Sequence, residues 1–527
     1  MCRLWSLIFL LRIDSCWPTV TLAKRLTQCA TASTIQRRGF NVSKIFAKSL
    51  AIGKATFGCR RAFSRHLQHR TTVLAFAFCT VLFTQTLYPP SLKADSGERP
   101  NILLILADDL GYGDLGYQGV HADGARDLQT PHIDQLFDEG LALQQFYADC
   151  CVCSPTRAAL LTGCSPDRVG VPGVIRTITD NNWGYLQQDR ETLPQSLAAN
   201  GYHTAIVGKW HLGLEPENHP LSRGFQSFHG FLGDMMDDYF NHRRHGINYM
   251  RNGRTEIDPE GHATDLFSQW GSTFIREQSS SDKPWMLYLA YNAPHTPIQP
   301  PADWLAKVKK RQPGITDDRA ALVALIEHMD DGIGKVLQAL EDSGQADNTI
   351  VVFTSDNGGQ VSVGANNGPL RGGKGMMYEG GLRVAAAIRW PGHTQPGTTT
   401  TRIGSTIDLL PTLCEATQTT IPDDIDGVSL LPLLSDPNAD WPQREVYYVR
   451  REGGLAFGGL TIQGLRSGPW KLVQNTPFEP MQLFNLDEDP EEQVDRKNQD
   501  RSDYHRLAAR LRLRIQAGGA VPWQKQP

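Results

Sequence analysis

Beyond residue 100 the chain repeats one pattern, a short and nearly unbroken apolar run of strand length that stops abruptly at charged, amide or imidazole residues. Asn101 to Ala107 (NILLILA) leads into Asp108-Asp109, and His203 to Val207 leads into Gly208-Lys209-Trp210-His211. Trp285 to Tyr291 leads into Asn292-Ala293-Pro294-His295, and Thr349 to Ser355 into Asp356-Asn357-Gly358-Gly359. Runs without polar alternation are what strands covered on both faces look like. Helix-like stretches such as Pro131 to Gly140, Leu193 to Asn200 and Ala320 to Ser343 lie between them. The order predicts an α/β fold with one large, mostly parallel central sheet flanked by helices. Parallel strands end at a common edge, and ligands bind outside their carboxyl ends. Asp108, Asp109, Lys209, His211, His295, Asp356 and Asn357 are therefore expected to converge on one crevice.

Composition narrows the class. The 527 residues are 40% apolar and 20% charged, with 49 Gly and 32 Pro, which excludes collagen, a disordered tail and a disulfide-stapled miniprotein. The formal charge of -4 hides an asymmetry: residues 1–70 carry 13 Lys/Arg and one acid, Asp14, against 39 basic and 55 acidic residues beyond. Such an acidic body argues against general nucleic-acid binding. Arg60, Arg61, Arg65 and Arg70 precede an uncharged stretch from Thr71 to Tyr88, followed by Pro89-Pro90 and the small residue Ala94. Residues 1–94 thus read as a basic leader ending in a secretory signal, which predicts a secreted or periplasmic protein. A membrane anchor over residues 71–88 is the rival, since that stretch is just long enough to span.

Three carboxylates, Asp108, Asp109 and Asp356, with the Asn357 amide oxygen make a hard, all-oxygen set suited to Ca²⁺ or Mg²⁺, whereas zinc would recruit the imidazoles directly. Two Lys and two His around such a set suit an oxyanion substrate. Singly, an Asp or Asn after a strand is an ordinary turn former or helix cap; the coincidence at four strand ends is what points to a site. The segment Cys153-Ser154-Pro155-Thr156-Arg157 reads as a helix start, with Pro155 in the first turn and Gly163 as terminator. Cys153 and Arg157 are four apart and can share one side of that start, an anion site by dipole and guanidinium. A low-pKa thiol nucleophile and a buried cysteine are the alternatives. Of ten cysteines only Cys150, Cys151, Cys153, Cys164 and Cys414 lie beyond the leader, an odd and clustered set that is not a disulfide framework.

Cys153-Ser154-Pro155-Thr156-Arg157 with the trailing Leu161-Thr162-Gly163 resembles the sulfatase signature C-x-P-x-R…L-T-G, in which the cysteine is oxidised to formylglycine. Thr156 stands where Ser is commoner. The resemblance extends through Asp108 to Asp114, Gly208 to His211, Asn292 to His295, Asp356-Asn357-Gly358, Gly372-Gly373-Lys374-Gly375 and Glu379-Gly380-Gly381. It covers roughly residues 99–495, Leu465 to Leu472 and Leu483 to Pro490 being similar to the small C-terminal sheet of such enzymes. It implies an alkaline-phosphatase-like fold, with a catalytic domain over residues 95–440 and a smaller sheet-plus-helix domain over 441–527. It also implies Ca²⁺ held by Asp108, Asp109, Asp356 and Asn357, with matured Cys153, as the aldehyde hydrate, both metal ligand and nucleophile. Arg157, Lys209 and Lys374 would neutralise the sulfate oxygens. His295 with Lys374 would protonate the leaving oxygen, Lys209, His295 and Lys374 would contact substrate, and His211 would act as the base that releases sulfate. A formylglycine-generating maturation enzyme is the implied partner.

Two further segments carry expectations. Asp237 to His245 with Asn248-Tyr249 is a basic, aromatic loop that either lines the pocket and grips a sugar or sulfate, or is simply solvated. Asp487 to Glu492 reads as a solvated acidic turn, lacking the Gly and spacing of an EF-hand. The resemblance implies hydrolysis of sulfate esters, arylsulfatase type, on sulfated carbohydrate and on small aryl sulfates. A phosphate or phosphonate ester hydrolase on the same fold and an inactive sulfated-glycan-binding protein are the competing readings.

Overall fold

The apolar runs form strands. In the computed structural model, which describes residues 99–117, 127–178, 182–453 and 460–524, ten strands make the central sheet: β1 (Asn101–Ala107), β2 (Leu141–Leu143), β3 (His203–Lys209), β4 (Ser227–Phe231), β5 (Met250–Asn252), β6 (Thr255–Glu256), β7 (Trp285–Ala290), β8 (Thr349–Ser355), β9 (Ala386–Arg389) and β10 (Thr398–Thr400). The leader and its candidate signal lie outside the described residues. The sheet order is β10-β2-β9-β8-β1-β7-β3-β4-β5-β6. Its middle, β8-β1-β7-β3-β4, is parallel throughout, and β1 sits at the centre with Leu104 opposite Tyr288 on one side and Val352 on the other. All four strands expected from the apolar runs are therefore neighbours. Towards the edges β9 and β5 run antiparallel to their inner neighbours, so the whole sheet is mixed.

β1, β7 and β8 are buried along their full length, as unbroken apolar runs require. Helices flank the sheet: Pro131–Glu139 and Ala263–Gln278 both pack on the long helix Asp317–Asp342. β3 runs to Lys209, two residues beyond the expected end, so Lys209 is the last residue of the strand rather than the first after it.

A second, four-stranded antiparallel sheet follows: β11 (Glu445–Glu452), β12 (Leu460–Ser467), β13 (Trp470–Gln474) and β14 (Gln482–Asn485). Its alternation separates two faces. Tyr447, Val449, Leu465, Leu472 and Leu483 pack on Leu507 and Leu511 of the closing helix Arg501–Gly519. Val446, Tyr448, Ile462, Val473 and Phe484 face the other way, onto Tyr147, Cys150, Cys151, Met377 and Leu382. The small sheet thus backs the segment that leads into Cys153. All five cysteines beyond the leader are buried and none forms a disulfide, in keeping with a set that is not a disulfide framework.

The Asp487 to Glu492 turn departs from expectation at its end. Glu492 is fully buried, at φ 56°, and its carboxylate reaches Lys471 Nζ (2.9 Å) and the Glu379 backbone N–H (2.6 Å). Lys471, also fully buried, donates to Glu379 Oε1 at 2.8 Å. A lysine of the small sheet therefore joins the two buried carboxylates, which is why the turn is only partly solvated.

Candidate active site

The carboxyl ends of β1, β3, β7 and β8 and the N-terminus of one helix meet at a common point. That helix, Cys153–Thr162, begins at Cys153 and ends at Gly163, whose φ of 66° lets its N–H close on Ala159 O. No side chain caps its N-terminus, so the first-turn N–H groups and the positive end of the dipole face the crevice. Thr156 takes the role of a local tie: its hydroxyl donates to Cys150 O at 3.0 Å and accepts from Cys150 N at 3.2 Å.

Cys153 Sγ lies 3.4 Å from Asp108 Oδ1 and 3.9 Å from Asp109 Oδ1. Asp108, Asp109, Cys153 and His295 each turn a potential ligand atom to within 4.8 Å of the others. Around this cluster stand the cations. Lys209 forms an ion pair with Asp108 Oδ2, Lys374 Nζ is 2.6 Å from Asp109 Oδ2, and Arg157 binds Asp356 Oδ2 through Nε (2.9 Å) and its terminal nitrogen (2.8 Å). Arg157 is wholly buried and also donates to Lys209 O at 3.2 Å, so its guanidinium clamps the ends of β8 and β3 together. Asp356 stands one step behind Asp109, its Oδ1 accepting the Asp109 N–H at 3.2 Å.

Asn357 donates through Nδ2 to Asp109 Oδ1 at 2.8 Å, while its carbonyl Oδ1 is buried and meets no donor. A buried amide oxygen without a partner is costly, and it lies beside a carboxylate-rich cluster. Asp108, Asp109, Asp356 and this oxygen are a hard donor set of the kind a divalent cation takes, but the ligand atoms that already lie within 4.8 Å of one another come from Asp108, Asp109, Cys153 and His295, and the Asp356 oxygens are engaged by Arg157 and the Asp109 N–H. Electrostatics agree. Burial raises Asp356, reinforced by Asp108 and opposed by Arg157. Burial would raise Asp108 too, but Lys209, with His295 and Arg157, outweighs it and holds that carboxyl well below its ordinary value. Burial disfavours the Lys374 ammonium, and Asp109 reverses this, raising Lys374 above its usual value. Burial next to Asp356 and Asp108 pushes the Cys153 thiol far up, so the unmodified side chain is a poor thiolate nucleophile.

The two histidines differ. His211 Nε2 lies 2.8 Å from Ile175 O, an acceptor, which places its proton on Nε2 and leaves Nδ1, buried and unpartnered, with a free lone pair. Burial, aided by Lys209 and Arg157, holds its proton affinity well below the ordinary imidazole. His295 Nδ1 donates to Thr296 O at 2.7 Å, which turns Nε2 towards Asp109 Oδ2, 3.6 Å away. Burial and Lys374 lower its proton affinity as well. Asp109 (φ 68°) and His211 (φ 61°) both occupy the left-handed region that non-glycine residues avoid, local strain of about 1 kcal/mol or more each. The helical turn Glu379–Leu382, which follows the Lys374 loop, approaches so closely that a Cβ on Gly358 would sit 1.8 Å from Gly380 O.

A Sulfatase family model matches residues 100–419, and one for the C-terminal region of N-sulphoglucosamine sulphohydrolase matches residues 373–518. The chain is a sulfatase. Its relatives include human N-acetylgalactosamine-6-sulfatase, 36% identical over 384 residues that cover 68% of this chain and 70% of that protein. Human arylsulfatase A is 36% identical over 361 residues, covering 64% and 68%. Among solved structures, Ps i-CgsB in complex with k-i-k-neocarrahexaose is similar with a TM-score of 0.73 at 31% identity, covering 80% of this chain and 94% of that one. The fold is that of the alkaline-phosphatase-like sulfatases, and as a sulfatase the enzyme is a sulfuric ester hydrolase.

In this sulfatase the four strand ends, the helix start and the Gly372–Gly375 loop bring Asp108, Asp109, Cys153, Arg157, Lys209, His211, His295, Asp356, Asn357 and Lys374 into one buried region. The basic loop is more self-contained than its composition suggests. Arg243 pairs with Asp258, and Arg244 with Asp234 (3.1 Å) and Asp237 (2.7 Å). Two buried residues beside the site were named in the sequence only as parts of longer segments, with no role of their own. Glu379 anchors the Lys374 loop through Tyr147 and Lys471, and its only local signal was its place in the Glu379-Gly380-Gly381 block. Tyr239, in the basic loop, is buried rather than exposed.

Proposed function

We propose that this sulfatase hydrolyses sulfate esters of carbohydrates, with Cys153 matured to formylglycine and Ca²⁺ held by Asp108, Asp109, Asp356 and Asn357. The observation that carries the reading is the convergence of Cys153, Asp108 and Asp109 beside a buried, unpartnered Asn357 oxygen, ringed by three cations. When bound, the cation and the hydrated aldehyde supply a Lewis acid next to an acidified hydroxyl able to attack sulfur.

The chain's own side chains supply the rest. Lys209 and Lys374 present ammonium groups that offset the charge of the sulfate oxygens as the ester bond breaks. Arg157 fixes the Asp356 carboxylate and the end of β3 in register with them. His295, ring-locked by Thr296, presents Nε2 to the leaving oxygen and, as the imidazolium that the Asp109 carboxylate favours, delivers the Nε2 proton, with Lys374 nearby. His211 keeps an unprotonated Nδ1 that accepts the proton whose removal lets sulfate depart.

A carbohydrate substrate is supported by the relatives. One is an N-acetylgalactosamine-6-sulfatase, and Ps i-CgsB was crystallised with a neocarrahexaose. The test is a screen of purified protein on aryl sulfate, aryl phosphate and a panel of sulfated saccharides, with peptide mass spectrometry across Cys153. Turnover of sulfated sugars together with a mass loss at Cys153 supports the reading; preference for phosphate, or a fully active enzyme with an intact thiol, overturns it. We further read residues 1–94 as an export leader removed before action outside the cytoplasm. Among the described residues no helix is long and apolar enough to cross a membrane. N-terminal sequencing of the mature enzyme tests this.

A further inference from the structure

We propose that Tyr239 is the positioning residue for the proton donor His295, and that it ties the basic loop to the proton-transfer step. The inference rests on the catalytic reading above. Tyr239 is fully buried, and its hydroxyl lies 2.7 Å from Asn292 O and 2.9 Å from His295 O, so one O–H is shared by the two carbonyls that bracket the Asn292–His295 turn. That turn is closed by His295 N donating to Asn292 O at 2.9 Å, and its other side is held by Asp108 N donating to Ala293 O at 3.1 Å. The acid-bearing turn is thus gripped from two directions, by the backbone of a candidate metal ligand and by the Tyr239 hydroxyl.

Tyr239 is itself braced. Its N–H donates to Gln299 Oε1 (2.8 Å), Gln299 Nε2 donates to Asp238 Oδ2 (3.0 Å), and its ring stacks on His262 at 5.0 Å between centroids. His262 in turn has Nδ1 accepting from Thr264 N and Nε2 against Gln299 O, so it serves as a fixed wall rather than a free ligand. The next residues, Phe240 and Asn241, are exposed. One short segment therefore has a surface end and an end that sets the carbonyl frame of His295. Removing the hydroxyl takes that donor from His295 O, leaves Asn292 O with the His295 N–H alone, and lets the turn relax, moving Nε2 relative to the leaving oxygen. A shift of about 1 Å is enough to cost a large factor in rate.

A proton donor matters only when the leaving oxygen is basic, and this separates positioning from a general structural role. Tyr239→Phe keeps the ring and its stacking. On a series of aryl sulfates, kcat is expected to stay within about twofold of wild type for the most acidic phenols and to fall by about tenfold or more for the least acidic. His295→Ala should show the same selectivity, only steeper. In ¹⁵N-histidine-labelled protein the ring signal missing from the His295→Ala spectrum should shift in Tyr239→Phe. Uniform loss across the phenols, or an unmoved His295 signal, overturns the proposal. If Tyr239→Phe is recovered unfolded, Gln299→Leu, which removes the brace, carries the same two readouts. Wild-type protein inactive on aryl sulfates and sulfated saccharides alike would sink the sulfate-ester mechanism; in that case, or where only saccharides are turned over, the ring signal alone decides the role of Tyr239.

Discussion

Cys153 Sγ and Asp108 Oδ1 lie 3.4 Å apart, although the residues are 45 positions apart and reach the site from a helix start and a strand end. That contact puts the thiol for which we propose maturation against a carboxylate whose charge is held by Lys209. Cys153→Ala is therefore expected to abolish turnover, by about 10³-fold or more, with little loss of stability because the thiol makes only weak contacts. Steady-state rates and a thermal melt on the same preparation check both halves; wild-type-like activity refutes the nucleophile assignment.

Metal removal should be visible without any substrate. Because the donor set is complete only when folded, Ca²⁺ should raise the melting temperature of chelator-treated protein, by mass action on the native state. Asn357→Ala removes the oxygen that lacks a protein partner, and is expected to weaken that stabilisation and Ca²⁺ affinity by about tenfold or more. A melt indifferent to Ca²⁺ after exhaustive chelation rejects the oxygen cage.

Lys374→Met deletes the ammonium 2.6 Å from Asp109 Oδ2 but keeps the length of the stem. The expected fall in kcat/KM is about 10²-fold or more, from lost stabilisation of developing charge. If kcat/KM moves less than threefold, Lys374 belongs to the loop's surface and not to its chemistry.

Of the carboxyls outside the site that burial raises, Asp149 and Asp330 contribute a pH dependence of stability. Burial pushes both Asp149 and Asp330 up from 3.8 to about 7. The folded state thus holds these protons more tightly than the unfolded chain, so their contribution is fully present below about pH 4 and is lost as pH rises to about 7. Melting temperature should fall across that interval for reasons independent of Ca²⁺, and Asp330→Asn should flatten the slope. A slope unchanged in Asp330→Asn assigns the effect elsewhere.

The strand ends were legible because topology does the work: once β1, β3, β7 and β8 are parallel and adjacent, their following residues have no choice but to share an edge. Cys153 was legible through its motif. What the sequence hid depends on three dimensions. Glu492 closes a run of acids that looks solvated, yet only the fold brings Lys471 to it. Tyr239 acts through its hydroxyl on a turn more than fifty residues away, which no local pattern marks. Asp and His are among the types that tolerate a left-handed backbone, yet nothing local singles out Asp109 and His211 from the chain's other Asp and His residues.

Lys471 has one more implication. Its ammonium comes from the small sheet, while Glu379, which it neutralises, begins the helical turn directly after the Lys374 loop. A nonsense mutation or proteolytic clip that trimmed the polypeptide before β11 would therefore strand a buried anion against the catalytic wall. The tail is a counter-charge beside the candidate active centre, and heritable or engineered truncations there should read as loss-of-function alleles even though every residue proposed to handle sulfate is still encoded.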